Sequence, residues 1–160
     1  MNEFCFVNSP IGVLDLEAEF NFISRIKLRG GDSLQLRKES KKVGEPPSLT
    51  EVLKQIDEYF NSTRKLFEIP FKLNVPPFYE KILSEVQKVK YCDVASYEEI
   101  AQMAGSNKAA RVVGTTNAKN LLPIIIPCHR IIFSNGNASG YSDGLDKKLF
   151  LLDYESSLFS

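Results

Sequence analysis

Cys128 is the residue in this sequence whose surroundings are best suited to chemistry. It lies in the segment Pro127-Cys128-His129-Arg130, after a β-branched apolar run, Ile124–Ile126, that is expected to be buried. Pro127 fixes the backbone immediately before the thiol. His129 is the only histidine in the chain and supplies a base near neutral pH, while Arg130 supplies positive charge that favours the thiolate over an unperturbed pKa of about 8.5. These neighbours predict a reactive nucleophile.

The closeness of Cys128 and His129 in the chain also has a simpler interpretation. Adjacent side chains usually point in different directions, so the pairing could be a coincidence; a bridging water could join the two groups. Cys5 and Cys92 lie among aromatic and aliphatic residues, where a thiol is usually a small buried apolar group. Only Cys128 is therefore interpreted as functional.

The three cysteines are widely spaced and form neither a disulfide framework nor a zinc pattern. We therefore expect reduced thiols, no metal and no other cofactor. No apolar run approaches the roughly 18 residues of a membrane span, and the start of the chain carries an acid where a signal peptide carries a basic region. The expectation is an intracellular protein, cytoplasmic or, in a eukaryote, nuclear, with no membrane partner.

The charges balance over the whole chain but are unevenly distributed. With 20 Lys and Arg against 20 Asp and Glu, the net charge is zero, which argues against indiscriminate binding to polyanions. The stretch between Ile100 and Tyr141 has no acid and four basic residues: Lys108, Arg111, Lys119 and Arg130. One surface could therefore be basic, although a window of this length can also lack acids by chance.

Alternating apolar residues between Phe4 and Leu28 predict antiparallel strands in the first part of the chain. Turn residues at Pro10–Gly12 and near Asn21 separate these strands. The polar segment 30–47 that follows is rich in Lys, Gly and Pro and is expected to be an exposed connection.

A helix packed on this sheet is predicted next, because Ser48 and Glu51 have the spacing of a capping box. Three prolines between Pro70 and Pro77 then interrupt any regular element. We place the domain boundary there, which gives domains 1–73 and 74–160.

Helices dominate the second predicted domain. An amphipathic helix starts near Tyr79, and Ser96 with Glu99 forms a second capping box that opens a helix near Tyr97. A turn at Gly105-Ser106 leads into a further helix through Ala110, Arg111 and Val113.

The succession of helix, glycine turn and helix is typical of a helix-turn-helix, which is a weak indication by itself because such pairs are common in all-α domains. Lys108 and Arg111 strengthen it, because they fall in the first turns of the second helix. In a recognition helix these turns present side chains to a DNA groove.

The segment Ile126-Pro127-Cys128-His129-Arg130-Ile131 resembles the active-site signature of the O6-alkylguanine-DNA alkyltransferases, also called methylated-DNA–protein-cysteine methyltransferases. The resemblance covers the whole C-terminal half at the family's spacing. Its further members there are Ser96-Tyr97, the run from Lys108 to Gly114, Asn120, Pro123, Gly140-Tyr141-Ser142, Gly144-Leu145, Lys148, Leu151-Leu152 and Glu155. In the N-terminal half it thins to Ser9-Pro10-Ile11-Gly12 and Tyr59-Phe60.

The resemblance implies a two-domain fold. The N-terminal domain would be α/β, with a small antiparallel-rich sheet of ribonuclease H-like type. The C-terminal domain would be mostly α, with a winged-helix-like helix-turn-helix. The implied partner is double-stranded DNA that contains O6-alkylguanine, and we expect a monomer.

The resemblance also implies direct DNA repair. Cys128 would take the alkyl group from a guanine flipped out of the duplex and keep it as a thioether, so that the protein is spent after one event. Glu155 would orient His129, which through a water would deprotonate Cys128. Asn120 would brace the active-site turn.

Further residues acquire roles in substrate and DNA binding by the same resemblance. Tyr97 would donate toward the guanine ring, with Ser142 and Lys148 near its O6. Pro123 and Tyr141 would wall the pocket. Arg111 would fill the space left by the flipped base. The remaining residues assigned to DNA are Lys108, Ser96, Ala110 and Arg130.

The sequence departs from the family pattern in places. Thr116-Asn117 replaces a usual Ala-Met in the predicted recognition helix, and Leu121 replaces the Pro that commonly follows Asn120. Cys92 stands where a Gly is common. We therefore expect these departures to affect groove packing and the rigidity of the loop near Asn120.

Three other functions compete with alkyl transfer. A non-catalytic sensor of alkylguanine would lack the reactive cysteine. A cysteine hydrolase using Cys128, His129 and Glu155 would release its product and turn over. A plain helix-turn-helix module would bind DNA with an incidental cysteine.

Overall fold

A computed structural model of the chain describes residues 2–29, 47–105, 110–138 and 144–157. The chain divides into two units, Met1–Leu73 and Asn74–Ser160. None of the helices within the described ranges has the length and apolar character needed to cross a bilayer. Within the same ranges, no three His, Cys, Asp or Glu side chains are grouped so that they could hold a metal ion.

The first unit contains a three-stranded antiparallel sheet in the order β1-β2-β3. Its strands are β1 (Asn2–Ser9), β2 (Gly12–Glu19) and β3 (Phe22–Arg29). The alternation in β2 buries Leu14 and Leu16 on one face of the pleat. The predicted antiparallel strands and their two turns are thus confirmed.

One helix, α1 (Thr50–Phe60), follows a short 3-10 turn at Pro47–Leu49. The capping box predicted for it is wrong. The Ser48 hydroxyl donates to the carboxylate of Glu3, and the N-cap position is Leu49, which has no side-chain cap. A tertiary hydrogen bond to the sheet has therefore replaced the local one.

The second unit is mostly helical. Its described helices are α2 (Pro77–Gln87), α3 (Tyr97–Met103), α4 (Ala110–Ala118) and α5 (Leu145–Ser157). Two short strands, β4 (Ala95–Ser96) and β5 (Ile131–Ile132), pair in parallel. Pro77 opens α2 at a position where the missing amide proton is harmless.

The second predicted capping position is confirmed. Ser96 is the N-cap of α3, and its hydroxyl accepts a hydrogen bond of 3.0 Å from the backbone N–H of Glu99. Gly105 follows α3 with φ of +92°, the left-handed conformation expected of a helix-ending glycine. Ser106, the predicted cap of the next helix, lies outside the described residues, and α4 is described from Ala110.

None of the three cysteines forms a disulfide, and all three lie within the described residues. Cys5 and Cys128 are buried. The expectation that Cys92 is buried is wrong: it is exposed, in a tight turn with φ of +70°. Glycine adopts this conformation most readily, which is a physical reason why a glycine is common at this position in the family pattern.

Candidate active site

The turn that carries Cys128 is built by Pro127. The Pro127 dihedral angles are φ −79° and ψ 64°, close to those of an inverse γ-turn. The backbone N–H of Cys128 accordingly donates to the carbonyl of Ile126 at 2.7 Å. Cys128–Arg130 then form one 3-10 turn that leads directly into β5. The thiol is therefore held at a sharp bend between two fixed segments.

Asn120 braces this bend from the preceding loop. Its Nδ2 donates to the carbonyl of Ile126 at 2.9 Å, and its Oδ1 accepts from the backbone N–H of Leu122 at 3.0 Å. Both halves of the amide are used although Leu121 replaces the usual proline. Ile124 in the same loop is buried with φ of +76°, a strained conformation for a β-branched residue.

His129 and Glu155 form a buried hydrogen-bonded pair. His129 Nε2 lies 2.8 Å from Glu155 Oε2, and both side chains are almost completely inaccessible to solvent. An ionised carboxylate only accepts, so Nε2 carries the proton and Nδ1 holds the lone pair. Nδ1 is buried and has no hydrogen-bond partner among the described residues.

Arg130 completes the pairing of Glu155. Its Nε donates to Glu155 Oε1 and its Nη2 to Oε2, each at 2.9 Å, while its Nη1 donates to the carbonyl of Val89 at 2.8 Å. The backbone N–H of Cys92 also donates to Oε1 at 3.4 Å. Each carboxylate oxygen thus accepts two hydrogen bonds.

The assignment of Arg130 to DNA contact is wrong. The residue is 6% exposed, and its guanidinium donates to Glu155 and a backbone carbonyl inside the protein. Its charge is also paired with Glu155, so it does not supply the positive charge that the sequence suggested for the thiol. Among the described residues, Lys148 is a cation close enough to Cys128 for a thiolate there to raise its pKa.

The protonation states follow from these surroundings. Burial opposes ionisation of Glu155, but the hydrogen bonds from His129 and Arg130 outweigh it and hold the pKa of that carboxyl well below its usual range. Burial lowers the pKa of His129, and the hydrogen bond to Glu155 only partly opposes this. The pair therefore consists of a carboxylate and a neutral imidazole.

Tyr97 and Lys148 lie beside the Cys128 turn. Lys148 Nζ donates to the carbonyl of Ile131 at 2.5 Å and lies 5.8 Å from the centre of the Tyr97 ring. Burial raises the pKa of the Tyr97 hydroxyl, and the negative charge of a Cys128 thiolate raises it further. Burial lowers the pKa of Lys148, while the same thiolate opposes the shift.

Two elements bring these residues together. The β4–β5 ladder pairs Ser96 with Ile132, which sets Tyr97 beside the end of the Cys128 turn. Helix α5 supplies both Lys148 and Glu155, seven residues apart and therefore on one face, separated by about 10 Å along the axis. Leu151 is buried between them.

The remaining residues assigned to DNA fall into two groups. Arg111 is exposed in the first turn of α4, and Ala110 before it is half-buried. Ser96 is 6% exposed and its hydroxyl caps α3, so its assignment to DNA contact is corrected to a structural one. Lys108 lies outside the described residues.

Among the residues assigned to the base pocket, Pro123 is buried and pairs with Ile126 through an isolated bridge. Tyr141 and Ser142 lie outside the described residues. A cavity of about 430 Å³ opens beside Glu155 and Cys92, but Cys128 does not line it. The active site is therefore defined by its side chains and not by this cavity.

Sequence reasoning missed Asn117. Thr116 and Asn117 were expected to affect packing in the DNA groove, but both are buried. The Asn117 side chain donates from Nδ2 to the carbonyl of Cys128 at 3.0 Å. Its spacing of four residues from Val113, a core position of α4, could have placed it on the inner face.

Comparison with known proteins accounts for both units. Residues 77–157 match the family model for the DNA binding domain of 6-O-methylguanine DNA methyltransferase. Residues 4–73 match the model for the ribonuclease-like domain of the same family. The constitutive methylated-DNA–protein-cysteine methyltransferase of Bacillus subtilis is 35% identical over 158 residues, covering 97% of this chain and 96% of that one.

Two further relatives extend the comparison. The methylated-DNA–protein-cysteine methyltransferase of Homo sapiens is 32% identical over 161 residues, covering 93% of this chain and 78% of that one. The crystal structure of Mycobacterium tuberculosis OGT in complex with DNA superposes with a TM-score of 0.85 at 29% identity, covering 97% of this chain and 93% of that one. The predicted two-part fold is thereby confirmed. This chain belongs to the 6-O-methylguanine DNA methyltransferase family.

Proposed function

We propose that this protein repairs DNA directly, by moving the alkyl group of O6-alkylguanine in double-stranded DNA onto Sγ of Cys128. The observation that carries the proposal is the buried arrangement of Cys128 on a fixed turn, next to a neutral His129 that is held by Glu155. The membership of the chain in this repair family supports the same chemistry.

The thiol is activated through His129. Because Glu155 accepts the proton of Nε2, the lone pair of Nδ1 is available as a base. A water between Nδ1 and Cys128 Sγ would pass the thiol proton to the imidazole, since Nδ1 has no direct hydrogen-bond partner among the described residues. Arg130 keeps Glu155 ionised, so the imidazole stays in this tautomer.

The transfer breaks one bond and forms one. The Cys128 thiolate attacks the alkyl carbon and forms the S–C bond with its own electron pair. The C–O6 bond breaks, and its electron pair stays on the departing guanine. The thiol proton goes to His129 and the base gains a proton from Tyr97, so one proton has moved from thiol to guanine once solvent restores both side chains.

The departing guanine is a poor leaving group unless its negative charge is stabilised. Tyr97 keeps its proton near neutral pH, because burial and the Cys128 thiolate both raise its pKa, and it is therefore a donor. Lys148 adds a positive charge beside Tyr97. We assign Ser142 to the O6 side of the base, and Pro123 and Tyr141 to the pocket walls.

The alkylated base must leave the duplex to reach a buried thiol. We assign this step to α4, whose exposed Arg111 would occupy the gap in the base stack, with Ala110 and Lys108 at the groove. The thioether that results is stable, so each molecule acts once. We propose that it acts as a monomer where the cell keeps its DNA: the cytoplasm, or the nucleus in a eukaryote.

The role of Arg111 is tested by comparing two substrates. Arg111→Ala should slow repair of O6-methylguanine in duplex DNA much more than reaction with the free base O6-benzylguanine, because only the duplex requires flipping. Lys119→Ala removes one exposed charge from the residue that directly follows the same helix and is the matched control. Equal losses by Arg111→Ala on both substrates would contradict an intercalating role.

Cys128→Ser tests the acceptor itself. The serine variant should bind the damaged duplex like the parent protein, since Cys128 is buried and Arg111 is on another element. It should accept no alkyl group, because a serine hydroxyl is a far weaker nucleophile than a thiolate near neutral pH. Transfer retained by this variant would contradict the mechanism.

A further inference from the structure

The peptide between Cys128 and His129 joins the proposed nucleophile to its base. Its carbonyl oxygen accepts two hydrogen bonds. One comes from the backbone N–H of Ile131 and closes the 3-10 turn. The other comes from Nδ2 of Asn117 at 3.0 Å. Because a peptide unit is planar, the direction of this carbonyl also sets the direction in which the chain leaves Cys128 and enters His129.

The two hydrogen bonds differ in origin. The bond from Ile131 is local and belongs to a three-residue 3-10 turn, in which hydrogen-bond geometry is poorer than in an α-helix. Asn117 lies 11 residues before Cys128, in the last turn of α4, and is 6% exposed. Asn120 holds the Ile126 carbonyl at the start of the same bend. Side-chain amides thus fix the chain on both sides of Cys128.

The other half of the Asn117 amide indicates that folding alone does not account for this residue. Its Oδ1 is buried and has no hydrogen-bond partner among the described residues. An unpaired buried carbonyl oxygen destabilises a fold. If an apolar side chain replaced Asn117, the Cys128 carbonyl would keep its hydrogen bond from Ile131. An apolar side chain of similar size would therefore serve the fold at least as well.

We propose that Asn117 is a positioning residue for the activation of Cys128. It holds the Cys128–His129 peptide in the orientation from which the thiol proton passes through water to Nδ1 of His129. The S–H electron pair stays on sulfur, as the thiolate that attacks the alkyl carbon. Without Asn117, only the local turn holds this peptide, which then samples orientations in which the two side chains are not aligned. The inference rests on the proposed alkyl transfer and assigns a residue to its first step.

The test measures methylation of Cys128 by methyl iodide, because iodide departs without a proton donor and the reagent needs no DNA. Peptide mapping at about pH 7 compares the parent, Asn117→Leu, His129→Asn and the double variant. Asn117→Leu should slow methylation on the order of tenfold, the worth of one hydrogen bond, and should slow transfer from O6-methylguanine by a similar factor. In the His129→Asn background, the same substitution should change the rate with methyl iodide by no more than about twofold, because the base that Asn117 serves is gone.

The pH dependence of the reaction separates activation from access. At about pH 10, above the ordinary thiol pKa of about 8.5, Cys128 ionises without the help of His129. The parent and Asn117→Leu should then react with methyl iodide at equal rates. Tyr97 and Lys148 also interact with a Cys128 thiolate, and they are unchanged in every variant. A change in packing or access would instead slow the reaction at both pH values.

Two controls separate positioning from packing. Thr116 is buried beside Asn117, and its hydroxyl donates to the Val112 carbonyl within α4 at 2.7 Å. Thr116→Val is therefore the matched control and should keep the parent rate. The urea midpoint of Asn117→Leu should equal or exceed that of the parent, because the unpaired oxygen is gone. Asn117→Met repeats the measurements with a flexible apolar side chain in case leucine packs poorly.

The outcomes are distinct. Slowing that depends on His129 and disappears at high pH supports the inference. An unchanged rate for Asn117→Leu with either methyl donor near pH 7, equal slowing in both backgrounds, or equal slowing at both pH values would overturn the inference alone. A parent protein that accepts methyl from methyl iodide but not from O6-methylguanine in a duplex would overturn the proposed function, and the inference with it.

Discussion

The pairing of Arg130 with Glu155 makes a strong prediction about stability. Arg130→Met keeps most of the side-chain volume but removes three donors, two of which serve Glu155. The carboxylate then stays buried without the two hydrogen bonds from Arg130 and without the charge of its guanidinium. Breaking a buried ion pair from one side costs about 3–5 kcal/mol, a large part of the roughly 5–15 kcal/mol of a typical domain.

Urea unfolding followed by far-ultraviolet circular dichroism measures this loss, because four of the five α-helices described lie in the second unit. With an ordinary dependence on denaturant, the midpoint should fall by about 2 M. Lys88→Met is the matched control: it breaks the Lys88–Glu85 pair in the same unit, where the lysine side chain is 63% exposed. Its free energy of unfolding should change by no more than about 0.5 kcal/mol.

A double variant separates the charge from the chemistry. Arg130→Met with Glu155→Leu removes both buried charges and should recover much of the stability, since apolar replacements of such pairs are often tolerated. It should not recover alkyl transfer, because His129 has lost its acceptor. If Arg130→Met lowered the midpoint no more than Lys88→Met, the account of the buried Arg130–Glu155 pair would be refuted.

Four further predictions concern stability. In a Cys128→Ala background, unfolding free energy should fall by at most about 1.4 kcal/mol between about pH 7.5 and 5.5, because the folded pKa of His129 lies below its unfolded value of about 6.5 and the unfolded chain binds the proton. His129→Asn should abolish this loss of unfolding free energy, and a pH dependence that persists in the variant would contradict a neutral buried imidazole. Below about pH 4.5, further acidification should destabilise the parent through Glu155, whose folded pKa is also depressed. Ser96→Ala should lower unfolding free energy by about 1 kcal/mol through loss of the α3 cap, whereas Ser84→Ala on the exposed face of α2 should not lower it, and equal urea midpoints would contradict the cap. Cys92→Gly should raise the free energy of unfolding by up to about 1 kcal/mol, because glycine relieves the left-handed backbone at this exposed position, while Cys92→Ala should not raise it. A lower free energy of unfolding for Cys92→Gly would count against backbone strain at this position.

Local patterns in the sequence predicted elements whose stabilising contacts are themselves local. The β2 alternation, the Ser96 cap and the glycine turn after α3 all depend on residues a few positions apart. The Ser48 capping box failed for the converse reason. Its hydroxyl had a stronger partner, the Glu3 carboxylate, which is distant in the chain and which no local pattern could reveal.

The candidate site and its His129–Glu155 pair were predicted through the family motif, and the pairing of Arg130 with Glu155 was not. Arg130 was assigned to DNA and lies in a stretch with four basic residues and no acid, but its carboxylate partner, Glu155, comes from a distant part of the chain. The burial of helix α5 likewise could not be predicted from its own pattern, since Lys148 and Glu155 are buried while Leu149 and Phe150 are exposed. A charged side chain is buried only where other elements supply its partners, and the sequence of a single helix does not show those partners.

The central claim is that Cys128 is the acceptor of a single alkyl group. The most direct test incubates the protein with a duplex oligonucleotide that contains one O6-methylguanine, measures the intact protein mass and maps the modified peptide. One methyl group on Cys128, with transfer that stops at one per protein, is the predicted result. An unchanged mass despite tight binding to that DNA would indicate a lesion sensor, and continued turnover without a modified cysteine would indicate a hydrolase; either result would contradict the account.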